Sequence, residues 1–275
     1  MQYRRVSDVE PILTLQRDRV AVSVYPDAGA RIGQIVVAGR TLLVDVPDPA
    51  DRLPTTWGSF PMVPWAGRVR RGRFRFDGVD HELPINHRDG EGPERAHAIH
   101  GLAFDRSWEV GAASATSCTC TVALDWEFAG RASQTIELFD ERVDVTLTVE
   151  STGATFPAEI GWHPWFRKPE RLGVSPSAMY ERDRFGLPTG ALVEPTDGPW
   201  DDCFLAAGPV VLDYDGASVT VISDCDHWVI FDEPAAATCV EPQSGPPDAF
   251  NLTGHVTAHV VAPGSALTRR MSIAW

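Results

Sequence analysis

Lysine is nearly missing from this 275-residue sequence. Among its 24 basic residues, Lys168 is the one lysine and all the others are arginine. A Schiff-base mechanism needs a lysine whose surroundings lower its pKa, and Lys168 stands in a polar turn before Pro169. The sequence therefore does not predict imine chemistry.

Long apolar segments are missing as well. No apolar run approaches the roughly 20 residues that a membrane-spanning helix needs. Residues 1–5 lead into no apolar stretch of the kind found in signal peptides. We therefore expect a cytoplasmic protein without a membrane partner.

Basic charge and nucleotide-binding motifs are scarce too. The formal net charge is −14, whereas nucleic acids and anionic membranes favour clustered arginine and lysine. The sequence contains no P-loop, no dinucleotide-binding fingerprint and no nucleophile elbow. Nucleic acid is therefore not an expected partner.

The cysteines follow no familiar ligand spacing. There are five of them, Cys118, Cys120, Cys203, Cys225 and Cys239. The number is odd, and the spacing is not that of a zinc ribbon or a small disulfide scaffold. Free, buried thiols in a reducing compartment are expected.

Alternation of apolar and polar residues dominates the sequence. Apolar residues make up 43% of the chain, enough for a large core. Strands are predicted at 20–24, 31–37, 73–76, 79–83, 118–126, 133–139, 143–151, 210–214, 217–222, 227–231, 238–241, 256–261 and 266–273. Short strands joined by Gly, Pro and Asp turns indicate an all-β fold. We predict a large antiparallel β-sandwich, with residues 1–275 in a single domain that is a monomer or a homodimer.

Two long segments carry few strand signals, residues 46–71 and residues 167–205. Helical periodicity is almost absent, with at most a turn or two at 248–252. Loops of that length in a compact domain are usually functional or packed against the scaffold.

A histidine stands among bulky rings in Gly161-Trp162-His163-Pro164-Trp165-Phe166, after an alternating run at 155–160. Aromatic walls around a few polar groups are typical of small-molecule sites. The alternative is a core histidine that packs in an aromatic cluster. Both interpretations stay open on this motif alone.

Arginines cluster after residue 60. Prolines, Trp65 and Gly67 precede Arg68, which is suited to donate forked hydrogen bonds to sugar hydroxyls or a carboxylate. Arg71 and Arg73 are expected on a solvated strand edge. Together with Arg70, these arginines offer an alternative role as a phosphate site.

Two histidines lie three residues apart at His97 and His100. No carboxylate or cysteine stands at a familiar metal-ligand spacing from them, so a metal site is not favoured. Gly101 lets the backbone approach a ligand closely. We expect His100 to bind a ligand or handle a proton, and His97 to be a structural partner.

Two acidic motifs complete the set of candidate site residues. Asp201 and Asp202 follow Trp200 and are suited either to hold hydroxyl groups or to cap a turn. Glu241 ends a mostly apolar strand, where burying an unpaired carboxylate is costly. Burial raises the pKa of a carboxyl group towards the range of a general base, which complements His163.

Taken together, these motifs resemble the aldose 1-epimerase (galactose mutarotase) family. They are Gly67-Arg68-Val69, His97-Ala98-Ile99-His100-Gly101, Gly161-Trp162-His163-Pro164-Trp165-Phe166, Trp200-Asp201-Asp202-Cys203-Phe204 and Cys239-Val240-Glu241-Pro242-Gln243. Each is weak alone, but five in this order across nearly the whole chain are fairly specific. The resemblance implies a galactose mutarotase-like sandwich that binds a sugar and has no metal and no cofactor.

The resemblance also implies roles for individual residues. Glu241 is expected to be the general base at the C1 hydroxyl of the sugar, and His163 the general acid at its ring oxygen. The expected substrate-binding residues are Arg68, His100, Asp201 and Trp165. Gly67 and Leu102 stand where fuller members of the family have asparagine and often glycine, which leaves the identity of the sugar open.

Three alternatives accompany this hypothesis. The arginines around Arg70 are compatible with a hexose 6-phosphate as the substrate. A non-catalytic sugar sensor is compatible with the same fold. A glycosidase or lyase would use two opposed carboxylates, for which Glu241 and Asp201 are the candidates.

Overall fold

A computed structural model of the chain describes residues 13–46, 53–254 and 257–275. Antiparallel strands dominate these residues, and two large sheets face each other across an apolar core. The predicted all-β class and the antiparallel sandwich are confirmed. No helix in the described ranges is long and apolar enough to cross a membrane.

The larger sheet has eleven strands in the order β1-β2-β3-β5-β16-β24-β23-β20-β18-β19, with β4 beside β3. These strands are β1 (Leu13–Arg17), β2 (Val20–Tyr25), β3 (Arg31–Val37), β4 (Arg40–Thr41), β5 (Ser59–Met62), β16 (Gly161–Arg167), β18 (Ala178–Arg182), β19 (Pro188–Val193), β20 (Asp201–Leu205), β23 (His227–Phe231) and β24 (Ala237–Gln243).

The second sheet has eight strands in the order β11-β12-β13-β14-β26-β22-β21-β17. They are β11 (Glu109–Ala113), β12 (Ser117–Leu124), β13 (Gly130–Leu138), β14 (Arg142–Ser151), β17 (Arg171–Gly173), β21 (Val210–Tyr214), β22 (Ala217–Ser223) and β26 (Ala266–Ala274).

Smaller sheets lie outside the two main layers. They contain β6 (Arg68–Val69), β9 (His87–Arg88) and β10 (Ala96–Ile99), then β7 (Arg73–Phe76) with β8 (Val79–Glu82), and β15 (Phe156–Ala158) with β25 (His259–Val261). The described helices are single 3-10 turns at Pro26–Ala28, Arg70–Gly72 and Pro93–Arg95.

Strand β14 shows why the predicted alternation produces a sandwich. Val143, Val145, Leu147 and Val149 are buried, while the residues between them are partly exposed. Side chains of a strand alternate between its two faces, so one face of β14 enters the core between the sheets. Truncating one such aliphatic side chain to alanine typically costs about 2–5 kcal/mol.

The prediction that residues 167–205 contain few strands is wrong, because this segment contains β17, β18, β19 and β20. In the described part of 46–71 the strands are the short β5 and β6, neither of which was predicted. All four residues of β5 are buried, and a strand covered on both faces shows no polar alternation in its sequence. The other strands that were not predicted are β1, β4, β9, β10, β11 and β16.

The cysteines and the last two predicted elements can be compared directly with the structure. All five cysteines are free and buried, as predicted. Residues 248–251 form a turn, in which the Asn251 N–H donates to the Asp248 carbonyl at 2.8 Å. Of the strand predicted at 256–261, residue 256 lies outside the described residues, and the observed strand is β25.

Candidate active site

The outer face of the larger sheet carries the candidate site. In β16, β20, β23 and β24, large apolar side chains at even-numbered positions, such as Trp162, Phe204 and Val240, pack into the core. Odd-numbered residues must therefore face the other way. The motifs recognised in the sequence thus have one face that stabilises the sandwich and one face that is free for a site.

Strand pairing places His163 beside Glu241. Cα partners Gly161–Gln243 and Trp165–Cys239 join β16 to β24, and His163 and Glu241 stand midway between them. The His163 Nε2 atom is 3.3 Å from Glu241 Oε1, and both side chains are buried. Two motifs almost 80 positions apart in sequence therefore form one pair.

A cleft of about 270 Å³ opens above this pair, a little below the size range of about 300–1,000 Å³ for ligand pockets. All six residues that the sequence predicted for the site line it: Arg68, His100, His163, Trp165, Asp201 and Glu241. The structure therefore brings the whole predicted set together on one cleft.

Aromatic rings hold the His163 imidazole. It stacks on Phe60 at a centroid distance of 4.8 Å and on Trp165 at 5.4 Å, and the His100 ring meets it edge-on at 5.0 Å. Burial lowers the pKa of His163 to about 3, and the positive charge of Arg31 contributes in the same direction. This imidazole is therefore neutral at pH 7.

The Glu241 carboxyl group has the opposite shift. Burial raises its pKa well above the ordinary value, and the nearby Asp201 carboxylate raises it further. Arg68 and Gln243 act against this, because Arg68 is positively charged and Gln243 Nε2 donates to Glu241 Oε2 at 3.2 Å. Burial therefore favours a neutral pair in which the carboxyl holds the proton next to an imidazole acceptor.

A short strand pair positions Arg68 and His100. Arg68 in β6 pairs with Ile99 in β10, and the His100 N–H donates to the Gly67 carbonyl at 2.9 Å. His100 has a φ of 60°, a strained conformation that is enriched at functional sites. Within the described chain, Arg68 Nε and His100 Nδ1 are buried without a hydrogen-bond partner.

The β18–β20 region adds a second acidic group to the cleft. Burial raises the pKa of Asp201. Arg182 Nε lies 2.8 Å from Asp202 Oδ1, and Arg182 Nη1 donates to the Asp201 carbonyl at 2.5 Å. Arg182 therefore joins β18 to the Asp201–Asp202 segment of β20 at this end of the cleft.

Sequence reasoning missed Arg182 and did not assign a role to Gln243. Arg182 lies in a segment where no strand was predicted, so no periodicity pointed to it. Gln243 stands two residues after Glu241 in the same strand, and the period-two rule would have placed it on the cleft face.

The other arginines of the cluster after residue 60, namely Arg70, Arg71 and Arg73, do not line the cleft. Arg70 is bound by Asp183 at 2.7 Å and by Asp248 at 3.2 Å, while Arg71 and Arg73 are exposed, as expected. His97 is buried, and its Nδ1 atom accepts a hydrogen bond of 3.3 Å from the Arg71 N–H.

A third side chain, that of Cys239, lies close to the central pair. Potential metal-ligand atoms of His163, Cys239 and Glu241 all lie within 4.8 Å of one another, and all three residues are buried. The sequence did not predict this grouping.

The family model for aldose 1-epimerase matches residues 11–273 of the chain. The chain belongs to the aldose 1-epimerase family. The resemblance inferred from the five motifs is thereby confirmed.

Curated relatives of this aldose 1-epimerase family member include two uncharacterized proteins of Escherichia coli K12. YphB is 25% identical over 243 residues, which cover 78% of this chain and 82% of YphB. YihR is 26% identical over 143 residues, and this match spans 50% of the chain and less than half of YihR, 44%.

Solved structures show the same fold. A crystal structure from Escherichia coli K12, provisionally assigned as an aldose 1-epimerase, matches with a TM-score of 0.82 at 23% identity, over 95% of this chain and 97% of that one. A galactose mutarotase-like protein from Clostridium acetobutylicum matches with a TM-score of 0.78 at 17% identity, over 94% and 93%. At these identities the likeness establishes the galactose mutarotase-like sandwich and no more.

Proposed function

We propose that this protein is an aldose 1-epimerase, a mutarotase that interconverts the α and β anomers of a free aldose. The observation that carries the proposal is the 3.3 Å contact between His163 Nε2 and Glu241 Oε1 on the floor of the cleft. Mutarotation needs a proton acceptor at one oxygen of C1 and a proton donor at the other. Both oxygens are bonded to the same carbon, so two groups this close can reach them together.

The reaction proceeds by ring opening and closure. Glu241 as carboxylate removes the proton from the C1 hydroxyl, the bond between C1 and the ring oxygen breaks, and the ring oxygen takes a proton from His163. Rotation about C1–C2 presents the other face of the aldehyde. On closure the two groups exchange roles, and the pair ends with the same number of protons as it had at the start.

The proton count of the pair suits this mechanism. A neutral carboxyl next to a neutral imidazole shares one transferable proton, as does a carboxylate next to an imidazolium. Transfer from Glu241 to His163 therefore prepares the base and the acid without exchange with solvent. The Arg68 charge lowers the pKa of Glu241 and so favours the reactive form.

Unpartnered polar groups support a polyol as the ligand. Arg68 Nε, His100 Nδ1 and Trp165 Nε1 are buried without partners in the described structure, and buried polar groups normally have hydrogen-bond partners. Sugar hydroxyl and ring oxygens accept such bonds. Asp201 can accept from ring hydroxyls, and the Trp165 ring offers an apolar face.

A free sugar is favoured over a hexose 6-phosphate by the state of the arginines. Arg70, which would be the first phosphate ligand, is bound by Asp183 and Asp248. Arg182 in the cleft is likewise bound by Asp202. Rates of anomer exchange on glucose and on glucose 6-phosphate separate the two substrates, and faster turnover of the phosphate ester would contradict the free-sugar proposal.

The catalytic pair is tested by polarimetry or NMR exchange on a panel of freshly dissolved α-aldoses. We expect His163→Asn and Glu241→Gln each to lower kcat by about two orders of magnitude or more, the scale of losing a positioned acid or base. The matched controls are His259→Asn and Glu150→Gln, which remove the same groups outside the cleft and should retain activity.

Two results would count against the proposal. A wild-type rate in His163→Asn or Glu241→Gln removes that residue from the mechanism. Negligible turnover by the wild-type protein, with sugar binding that persists in Glu241→Gln, would instead show a non-catalytic sugar sensor.

A further inference from the structure

Cys239 has no part in the proposed proton transfers, although its thiol lies next to the groups that do. Its side chain is fully buried, and its ligand atom is within 4.8 Å of those of His163 and Glu241. A thiol, an imidazole and a carboxylate are the three ligand types that proteins offer to zinc.

The sheet holds these three groups in fixed positions. Cys239 and Glu241 are two residues apart in β24, so both face the same side of the strand. The Cα partner of Cys239 in the neighbouring strand is Trp165, and His163 follows on the same face. Sites on strands are more precise than sites on loops, so little reorganisation is needed to bring the ligands together.

The spacing is close to that of a zinc site. Zinc bonds of about 2.0–2.3 Å place tetrahedral ligand atoms roughly 3.3–3.8 Å apart. The His163–Glu241 distance of 3.3 Å already meets this value, and side-chain movements of about 1 Å would bring the Cys239 sulfur within it. His163 and Glu241 also line the cleft, which leaves a fourth position open to water.

A second carboxylate lies near the trio, although the Arg68 and Arg31 charges also act on Glu241 and His163. Asp201 lies level with Cys239 across the sheet. Its Cα partner in β23 is Phe231, and the Cα partner of Phe231 in β24 is Cys239. Gln243 donates to the Glu241 oxygen Oε2, which leaves Oε1 free towards His163. Hydrogen bonds of this kind orient ligands in metal sites.

We propose that His163, Cys239 and Glu241 form a binding site for zinc or a similar soft divalent cation, and that the bound cation inhibits the enzyme. On binding, Cys239 loses its thiol proton and Glu241 binds as a carboxylate, with both protons passing to solvent. The cation occupies the lone pairs that His163 and Glu241 need for proton transfer. Binding is independent of the proposed mutarotase activity, whereas the inhibition depends on it.

Cobalt chloride is the probe for binding. Tag-free, metal-free protein in a buffer with a reductant that does not contain thiols is titrated with Co²⁺ and followed by absorption. We expect a near-ultraviolet thiolate-to-cobalt band and strong visible bands of a tetrahedral ion, complete at one equivalent and abolished by added Zn²⁺. A wild-type protein without the thiolate band overturns the proposal.

Two matched cysteine variants locate the site. Cys239→Ser should lose the thiolate band, and Cys203→Ser should keep it, because Cys203 is another buried thiol at the cleft that is not in the trio. Cys239→Ala repeats the test if the serine variant folds poorly, as judged by its melting temperature. A band that persists without Cys239 contradicts the assignment.

Inhibition is measured separately. Zinc chloride should lower the anomerisation rate of the wild-type protein competitively with the sugar. Cys239→Ser should be at least roughly tenfold less sensitive, relative to its own zinc-free rate, because even partners of metal ligands contribute 10–100-fold to affinity. Activity without a cobalt band would refute only the metal site, and a band without activity would refute only the proposed function.

Discussion

At the scale of single residues, burial determines the chemistry of the central pair. The pKa of Glu241 is raised and that of His163 is lowered to about 3, in both cases mainly because the charged form has lost water. In water the carboxyl is the stronger acid of the two, and the cleft reverses that order. A small change in hydrogen bonding around Glu241 should therefore change the pH range of activity.

The variant Gln243→Leu tests whether hydrogen bonding to Glu241 sets the pH range of activity. The amide of Gln243 donates to Glu241 Oε2, which stabilises the carboxylate and lowers its pKa. Its loss should raise the pKa of Glu241 further. Since the pair must keep one proton, and Glu241 holds it when His163 is neutral, the alkaline limb of kcat/KM reports the loss of that proton and should move to higher pH. Rates measured across the pH range by NMR exchange provide the check.

Gln134→Leu is the matched control. Gln134 is also buried, but it bonds the Ala30 carbonyl and the Trp162 indole away from Glu241. We expect this variant to melt at a lower temperature and to keep the alkaline limb in place. If Gln243→Leu also left the limb unchanged, Gln243 would have no influence on the base.

At the scale of elements, close backbone contacts position the residues proposed to bind the substrate. Gly101 has a φ of 85°, and a Cβ atom there would lie 2.0 Å from the Val63 carbonyl oxygen. The Leu102 N–H donates to the same oxygen at 2.8 Å. Glycine at this position thus allows the segment after β10 to carry His100 into the cleft.

Gly101→Ala should lower both stability and activity. A left-handed conformation alone costs alanine about 1–2 kcal/mol, and the overlap with Val63 adds to that, so we expect a loss of at least about 3 kcal/mol. KM for the sugar should rise because His100 moves. Chemical denaturation and steady-state rates measure the two effects.

Gly216→Ala provides the control for backbone strain. Gly216 has a φ of 72° in the turn between β21 and β22, and within the described structure a Cβ atom there would meet nothing within 4 Å. It should cost only about 1–2 kcal/mol and leave KM unchanged. Equal losses in the two variants would show that the Val63 contact is unimportant.

At the scale of the whole molecule, the net charge of −14 distinguishes the classes of substrate. A neutral aldose is not attracted or repelled by that charge, whereas an anionic sugar is repelled until salt screens the protein. We therefore expect kcat/KM on a free aldose to be nearly constant between about 10 mM and 200 mM salt, where the Debye length falls from about 30 Å to below 10 Å.

Glucose 6-phosphate serves as the charged comparison in the same assay. Any residual turnover of it should increase with salt, because screening removes the repulsion. A free aldose whose kcat/KM changed severalfold with salt would contradict the assumption that its encounter with the enzyme is free of long-range charge effects.

Much of the fold could be predicted from the sequence, because strands with one face in the core and one in solvent show their period directly. Strand β14 is the plainest case. The site residues could be named for a different reason: each of the five motifs is a local pattern, and family resemblance supplied the roles. Strands β5 and β16 show the limit, since most of their residues are buried and neither has the polar alternation of a half-exposed strand.

Only the tertiary structure decided which groups meet. It joined β16 to β24, so that His163 lies 3.3 Å from Glu241 with Cys239 beside them. It also bound Arg70 to Asp183 and Asp248 and left Arg68 Nε without a partner in the described chain. The physical reason is that alternation is a property of neighbouring residues, whereas strand partners, burial and the pKa shifts that follow depend on contacts between distant parts of the chain.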